Sequence, residues 1–264
     1  MPQKRADDFS AINQAISYYI RPSTFPVAIK MVSDASDLPA KVKRPKKDMN
    51  IAMFLCQAIN ISRRTGWSFY LEKEDISCPN AIIYLGFAKA PDGYMKGEFI
   101  FAPYNQTVKA RIQRSKYLAK FPVGEFRGIL ISPLHKADFD PDVVLVYGNA
   151  AQMMRFVQAS VFKGGSPMHF TAQGGGSCAS EVVASIKKNK VNLVLPGNGE
   201  RIFGQVHDDE MVFAIPFKKI KYITKSLEDS HNGGQRYPIP KYGSFEPVLP
   251  SGYQHLLKLM DKGK

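Results

Sequence analysis

Apolar positions recur along the chain with two periods, one helical and one extended. Phe9, Ile12, Ile16, Tyr19 and Ile20 follow helical spacing, and Pro22 and Pro26 close that segment. The run "PVAIKMV" then suits a buried strand interrupted by Lys30, and "KVKRPKKD" reads as a solvated, charged connector. "MNIAMFLCQAINISRR" predicts a buried helix and "WSFYL" a strand. In "ISCPNAIIYLGF" a helix starts with Ser77 or Cys78 near the cap and Pro79 in the first turn, where its missing N–H costs nothing. "NQTVKARIQRSKYLAKF" predicts a basic helix.

Farther on, "RGILISPL" and "DVVLVYG" are bounded apolar runs of the kind found in parallel strands, and "NAAQMMRFVQASVF" is helical. A glycine loop and helix follow in "TAQGGGSCASEVVASIKKNK", then the strand "VNLVL", the turn "PGNGER", the strand "EMVFAIP" and the helix "FKKIKYITKSL". The alternation predicts an α/β or α+β fold with a mixed, largely parallel sheet and flanking helices. "SCPNAIIYLG" echoes "SCASEVVASI", which raises two pseudo-related lobes with their cysteines facing across a cleft. Residues 1–229 form one α/β domain on this reading. Residues 230–264 form a Pro-, Gly- and Tyr-rich extension over the surface or a neighbouring subunit, ending in a short helix.

With 264 residues and 44% apolar composition the chain has ample core for a globular fold. Thirty-six Lys and Arg against 23 Asp and Glu leave a net charge of +13, which favours anionic partners. No window reaches the roughly eighteen apolar residues of a spanning helix, and the opening residues lack a signal-peptide core. Three dispersed cysteines, an odd number, fit a reducing compartment, so the expected location is cytoplasmic.

Chemistry centres on Cys56, Cys78 and Cys178. A thiol exposed at a helix start has a lowered pKa, whereas free cysteine is also among the residue types most often simply buried. Cys78 and Cys178 are the candidate metal ligands, and three thiols could hold an iron–sulfur cluster, or one could ligate haem. Closely spaced cysteine motifs are absent. Gly174, Gly175, Gly176 and Ser177 could point backbone N–H groups at an anion, with the turn before Arg201 as a second wall. Neither a Walker loop nor a dinucleotide fingerprint is present. Arg63, Arg64 and Arg201, with Lys30, are the candidate neutralising cations. His169 is a candidate base, and "HDDE" at 207–210 reads as a polar turn.

In order, "FPVAIKM", "FLCQAINISRRTG", "DISCPNAIIYLGF", "DFDPDVVLVYGNAAQMM", "GGGSC" and "PGNGERIFG" followed by "DDEMVFAIP" resemble the domain of unknown function family numbered 169, from archaea and bacteria. The resemblance runs from Phe25 to Leu227 and implies no activity that carries over. It marks Cys56, Gln57, Arg63, Arg64, Ser77, Cys78, Pro79, Cys178 and the turn ending at Arg201 as family positions. Some members carry cysteines near that turn where this chain has Asn198 and Glu200, which puts a four-cysteine site in doubt and leaves a haem, a three-cysteine cluster or no metal. The leading expectation is a basic, cysteine-containing pocket for an anionic or redox cofactor or metabolite. The alternatives are a nucleic-acid or acidic-protein binder using "KVKRPKK" and "KARIQRSK", or a subunit of a homo-oligomer.

Overall fold

The structure, a computed structural model, describes residues 2–34, 38–39, 41–97, 104–241, 243 and 248–262. In chain order its elements are α1 (Pro2–Tyr19), β1 (Val27–Val32), α2 (Pro45–Met49), α3 (Leu55–Thr65), β2 (Phe69–Leu71), α4 (Pro79–Tyr84), α5 (Asp92–Met95), α6 (Val108–Lys116), β3 (Gly128–Pro133), β4 (Val143–Gly148) and α7 (Ala150–Val161). A π-helix, Ala179–Ala184, runs into α8 (Ser185–Lys188), and β5 (Asn192–Val194), α9 (Asn198–Gly204), β6 (Met211–Pro216), α10 (Ile220–Asn232) and α11 (Ser251–Lys262) follow.

The six strands form one sheet in the order β2-β3-β1-β4-β6-β5, and every neighbouring pair is antiparallel. This α+β arrangement overturns the expected largely parallel sheet. The reason lies in what a continuous apolar run reports. β3 and β4 are buried at every position because helices cover both faces of the sheet, and double coverage produces such runs whatever the strand direction.

Strand alternation sends Val27, Ile29 and Met31 of β1 and Val143, Leu145 and Tyr147 of β4 to one face, under α3, α4 and the π-helix. Ala28, Val32, Val144 and Val146 go to the other face, where Ile12 and Ile16 of α1, Phe156 of α7 and Ile223 of α10 pack. Lys30 belongs to this second face and donates to the Asp140 carbonyl at 3.2 Å.

Local departures have local causes. The helix expected from Met49 starts only at Leu55, because Met53 bridges to Ile76 and Asn50 adopts a left-handed φ of 52°. The "KVKRPKKD" connector is not a plain loop: Lys43 pairs with Phe69 and α2 starts at Pro45. "PGNGER" is a turn that becomes the first residues of α9. In the chain after α10, α11 is exposed from Ser251 to Asp261, including Leu256, Leu257 and Met260. Among the described residues no helix is long and apolar enough to cross a membrane.

Candidate functional site

All three cysteines sit at helix starts, and all three line one cavity of about 480 Å³ beside the sheet. Cys56 is the second residue of α3, whose first turn is closed by Gln57 Oε1 accepting from the Phe54 N–H at 3.3 Å. Cys78 caps α4 ahead of Pro79, and Cys178 immediately precedes the π-helix.

The glycines form a second wall. Gly175, Gly176 and Ser177 line the cavity, as do Gly197 and Gly199. The two segments touch through bare backbone: a Cβ on Gly197 would lie 2.5 Å from Gly175 Cα, which only glycine permits. Ser177 Oγ accepts from the Gly197 N–H at 2.8 Å and fixes the junction. Also lining it are Arg111, Arg114 and Ser115 of α6, Leu118 just after it, and the rings of Tyr84, Tyr94, Tyr104 and Phe203. Arg114 donates to the Gln173 carbonyl at 2.8 Å and lies over the Tyr104 ring. Arg111 lies over the Tyr94 ring, and its Nε is buried without a hydrogen-bond partner.

The expected arginines go elsewhere. Arg63 is fully buried and donates to both carboxylate oxygens of Glu210, at 2.6 and 2.8 Å, with its guanidinium 4.1 Å from the Tyr147 ring centroid. Arg64 binds Asn60 Oδ1 at 2.8 Å and stands 3.9 Å from Glu210. Arg201 donates to the carbonyls of His207 and Glu210. None of the three lines the cavity, nor does Lys30 or the exposed His169. Arg111 and Arg114 take the place assigned to them. The "HDDE" turn is likewise more than a polar connection, because its Glu210 is the buried counter-ion of Arg63.

Burial dominates the electrostatics. It pushes the thiols of Cys56, Cys78 and Cys178 above the ordinary cysteine range. The charges of Glu200 and Glu181 add to the effect at Cys56, and Cys78 and Glu181 add to it at Cys178. At Cys78 the N–H groups of Ala81 and Asn80 oppose the rise without cancelling it. The lowering expected for an exposed helix-start thiol is therefore outweighed by burial.

Two acids beneath the thiols escaped sequence reasoning. Glu181, in the π-helix, is fully buried with neither carboxyl oxygen hydrogen-bonded. Glu200, in α9, lines the cavity and accepts from the Tyr147 hydroxyl at 2.9 Å. Burial raises both, further at Glu181, which has no donor, than at Glu200, where Ser177 and Tyr147 oppose it. Glu210 moves the other way: burial raises it, but its bonds from Arg63 and the His207 N–H outweigh that and leave it lowered. The available signal for Glu181 was a lone acid inside the apolar run "ASEVVAS"; for the arginines it was Arg111, Arg114 and Leu118 on one helical face.

No group of three or more Cys, His, Asp or Glu side chains is placed to hold a metal ion among the described residues. The three thiols share a cavity without forming a coordination shell, so the iron–sulfur expectation for Cys78 and Cys178 has no assembled ligand set.

Comparison with known proteins places this geometry in context. The model of the family described as "Uncharacterised ArCR", domain of unknown function 169, matches residues 15–226. The chain is also 22% identical over 204 residues to "Uncharacterized protein MJ0308" of Methanocaldococcus jannaschii, covering 76% of this chain and 86% of that protein. No solved structure matches.

Proposed function

The chain belongs to the domain of unknown function 169 family, and from its cavity we propose that it binds an anionic organic cofactor or metabolite with an aromatic or otherwise flat apolar body. One observation carries the reading: two arginines, a glycine wall and three thiols converge on the same 480 Å³ space. Pockets for small ligands combine an apolar lining with a few placed polar groups. Here the unpartnered Arg111 Nε and the Arg114 guanidinium would meet the acidic group, and Phe203, Tyr84 and Tyr94 would cover the body. The thiols would then lie at the ligand's inner end, available to a redox-active or thiol-reactive centre.

Native mass spectrometry, an absorption spectrum and elemental analysis of protein purified anaerobically test this reading. The expected result is a bound organic anion, lost in the double variant Arg111→Ala/Arg114→Ala, which also binds 1-naphthalenesulfonate at least ~10-fold more weakly than the wild type. Ligand-free wild-type protein with the same naphthalenesulfonate affinity as the double variant would overturn it.

A second reading, an assembly subunit, is favoured by α11, whose Tyr253, Leu256, Leu257 and Met260 are exposed on the described surface. Ending the chain at Gly234 should lower the sedimentation coefficient by more than the lost mass explains. An unchanged association state would remove that reading.

A further inference from the structure

The cavity floor contains an acid, Glu200, that makes no ion pair among the described residues, although Arg63 and Arg201 lie within electrostatic reach. Glu200 is only 5% exposed; Oε1 accepts from Tyr147, the Ser177 hydroxyl lies near enough to favour the charged form, and Oε2 is buried without a well-formed hydrogen bond. It lies one helical turn before Gly204 on the same face of α9. That face presses against the start of α3, where a Cβ on Gly204 would come within 3.0 Å of Cys56 Cβ. Phe203 stacks on Phe54 in the same contact, with ring centroids 4.0 Å apart. Cys56 and Glu200 are therefore neighbours across the α3–α9 junction, and both line the cavity.

Charged and titratable groups face Glu200 from every side: Tyr147 from β4, Glu181 from the π-helix, Cys56 and Arg63 from α3, Cys178, and Arg201 on α9 itself. Arg63 is already held in both oxygens of Glu210. Among the described residues neither buried carboxyl has an ion-pair partner, and two carboxyls in one region favour holding a proton between them. Glu181, lacking any donor, keeps it; Glu200, with the Tyr147 hydroxyl on one oxygen, is the member that ionises more readily.

We propose that Glu200 accepts the proton of Cys56 when that sulfur bonds to an electrophilic carbon of the bound ligand. The ligand class follows: an acid-bearing organic molecule, held by Arg111 and Arg114, that presents an aldehyde, thioester or activated alkene carbon to Cys56. In the step a sulfur lone pair forms the S–C bond and the S–H proton passes to Glu200 Oε2. The displaced electron pair goes to the carbonyl oxygen or the conjugated carbon. With a halide probe it departs as halide. The inference rests on the anion-binding reading above.

Neutral iodoacetamide and anionic iodoacetate serve as probes, with each cysteine quantified by peptide mapping from neutral to mildly alkaline pH. Glu200→Gln, which can still accept from Tyr147, should slow alkylation of Cys56 by iodoacetamide at neutral pH at least ~10-fold, with Glu200→Asp recovering part of the loss. If Glu200 were only a fixed charge, removing it would ease thiol ionisation and speed the reaction. A faster or unchanged rate therefore overturns the proposal. Cys78 and Cys178 report folding, since a loosened variant would expose all three thiols together. Separately, Arg111→Ala/Arg114→Ala should slow iodoacetate without slowing iodoacetamide. Equal effects on the two probes would sink the anion-binding reading and leave the Glu200 result to be judged alone.

Discussion

The two faces of the sheet are differently built. On the face covered by α1, α7 and α10, buried polar side chains join the helices: Gln152 Nε2 donates to the carbonyls of Ile20 and Arg21, at 3.0 and 2.7 Å, and ties α7 to the end of α1, and Arg155 donates to Ser230 Oγ at 3.0 Å and ties α7 to α10. Phe156 and Phe213 stack at 4.8 Å in the middle of that layer. On the cavity face the Arg63–Glu210 pair is satisfied, yet Glu181 and Glu200 keep unpartnered oxygens, the only such carboxyl oxygens among the described residues. Leaving buried carboxyls unpaired costs stability, and proteins tolerate such costs where a site needs the groups. One face thus holds the fold together and the other holds reactive groups within it.

Substitutions should separate these roles. The largest effect is expected for Phe156→Ala, about 3–5 kcal/mol of stability by chemical denaturation, with thiol reactivity unchanged in the remaining native protein. Glu210→Ala should cost about 3 kcal/mol, because Arg63 is then stranded as a buried charge. A loss below about 1 kcal/mol would mean that water reaches Arg63. Gly197→Ala forces the two glycine segments apart and should cost about 1–3 kcal/mol, with weakened anion binding. The cavity-face carboxyl reverses the sign: Glu181→Met should raise stability by about 1 kcal/mol, since an unpartnered acid is replaced by an apolar group of similar volume.

The smallest effect is a pH slope. Glu181 and Glu200 are raised in the fold, so their contribution is fully present below the unfolded value of 4.5 and is lost as pH rises through the folded values. Glu210 is lowered, so its contribution is present above 4.5 and is lost as pH falls through its folded value. Denaturation midpoints of Glu181→Met should therefore fall less between pH 4.5 and neutrality than those of the wild type. Identical slopes would show that Glu181 is ionised throughout.

Much of this contrast was legible in the chain. Pro79 after Cys78, and the glycines before Cys178, announced helix starts, and both thiols and both glycine segments meet where those starts converge. Strand direction was hidden because helices on both faces make β3 and β4 apolar at every position. The arginines were misassigned because an ion pair is a tertiary fact: Glu210 lies 147 residues beyond Arg63, and no local pattern joins them. The reach of Arg111 and Arg114 into the cavity depended likewise on how α6 docks against the glycine loop, not on the basic texture of their helix.

The π-helix sets one last quantity, the angular position of Cys178. Within the widened turn the Ser180 carbonyl accepts from Asn192 Nδ2 at 2.9 Å and Ser185 Oγ at 3.3 Å. Removing a single residue between Ala179 and Ala184 would restore ordinary helical winding and swing everything upstream by about 100° about the axis. The sulfur would then aim away from the cavity it now lines, so one surplus residue acts as the set-screw that turns it inward.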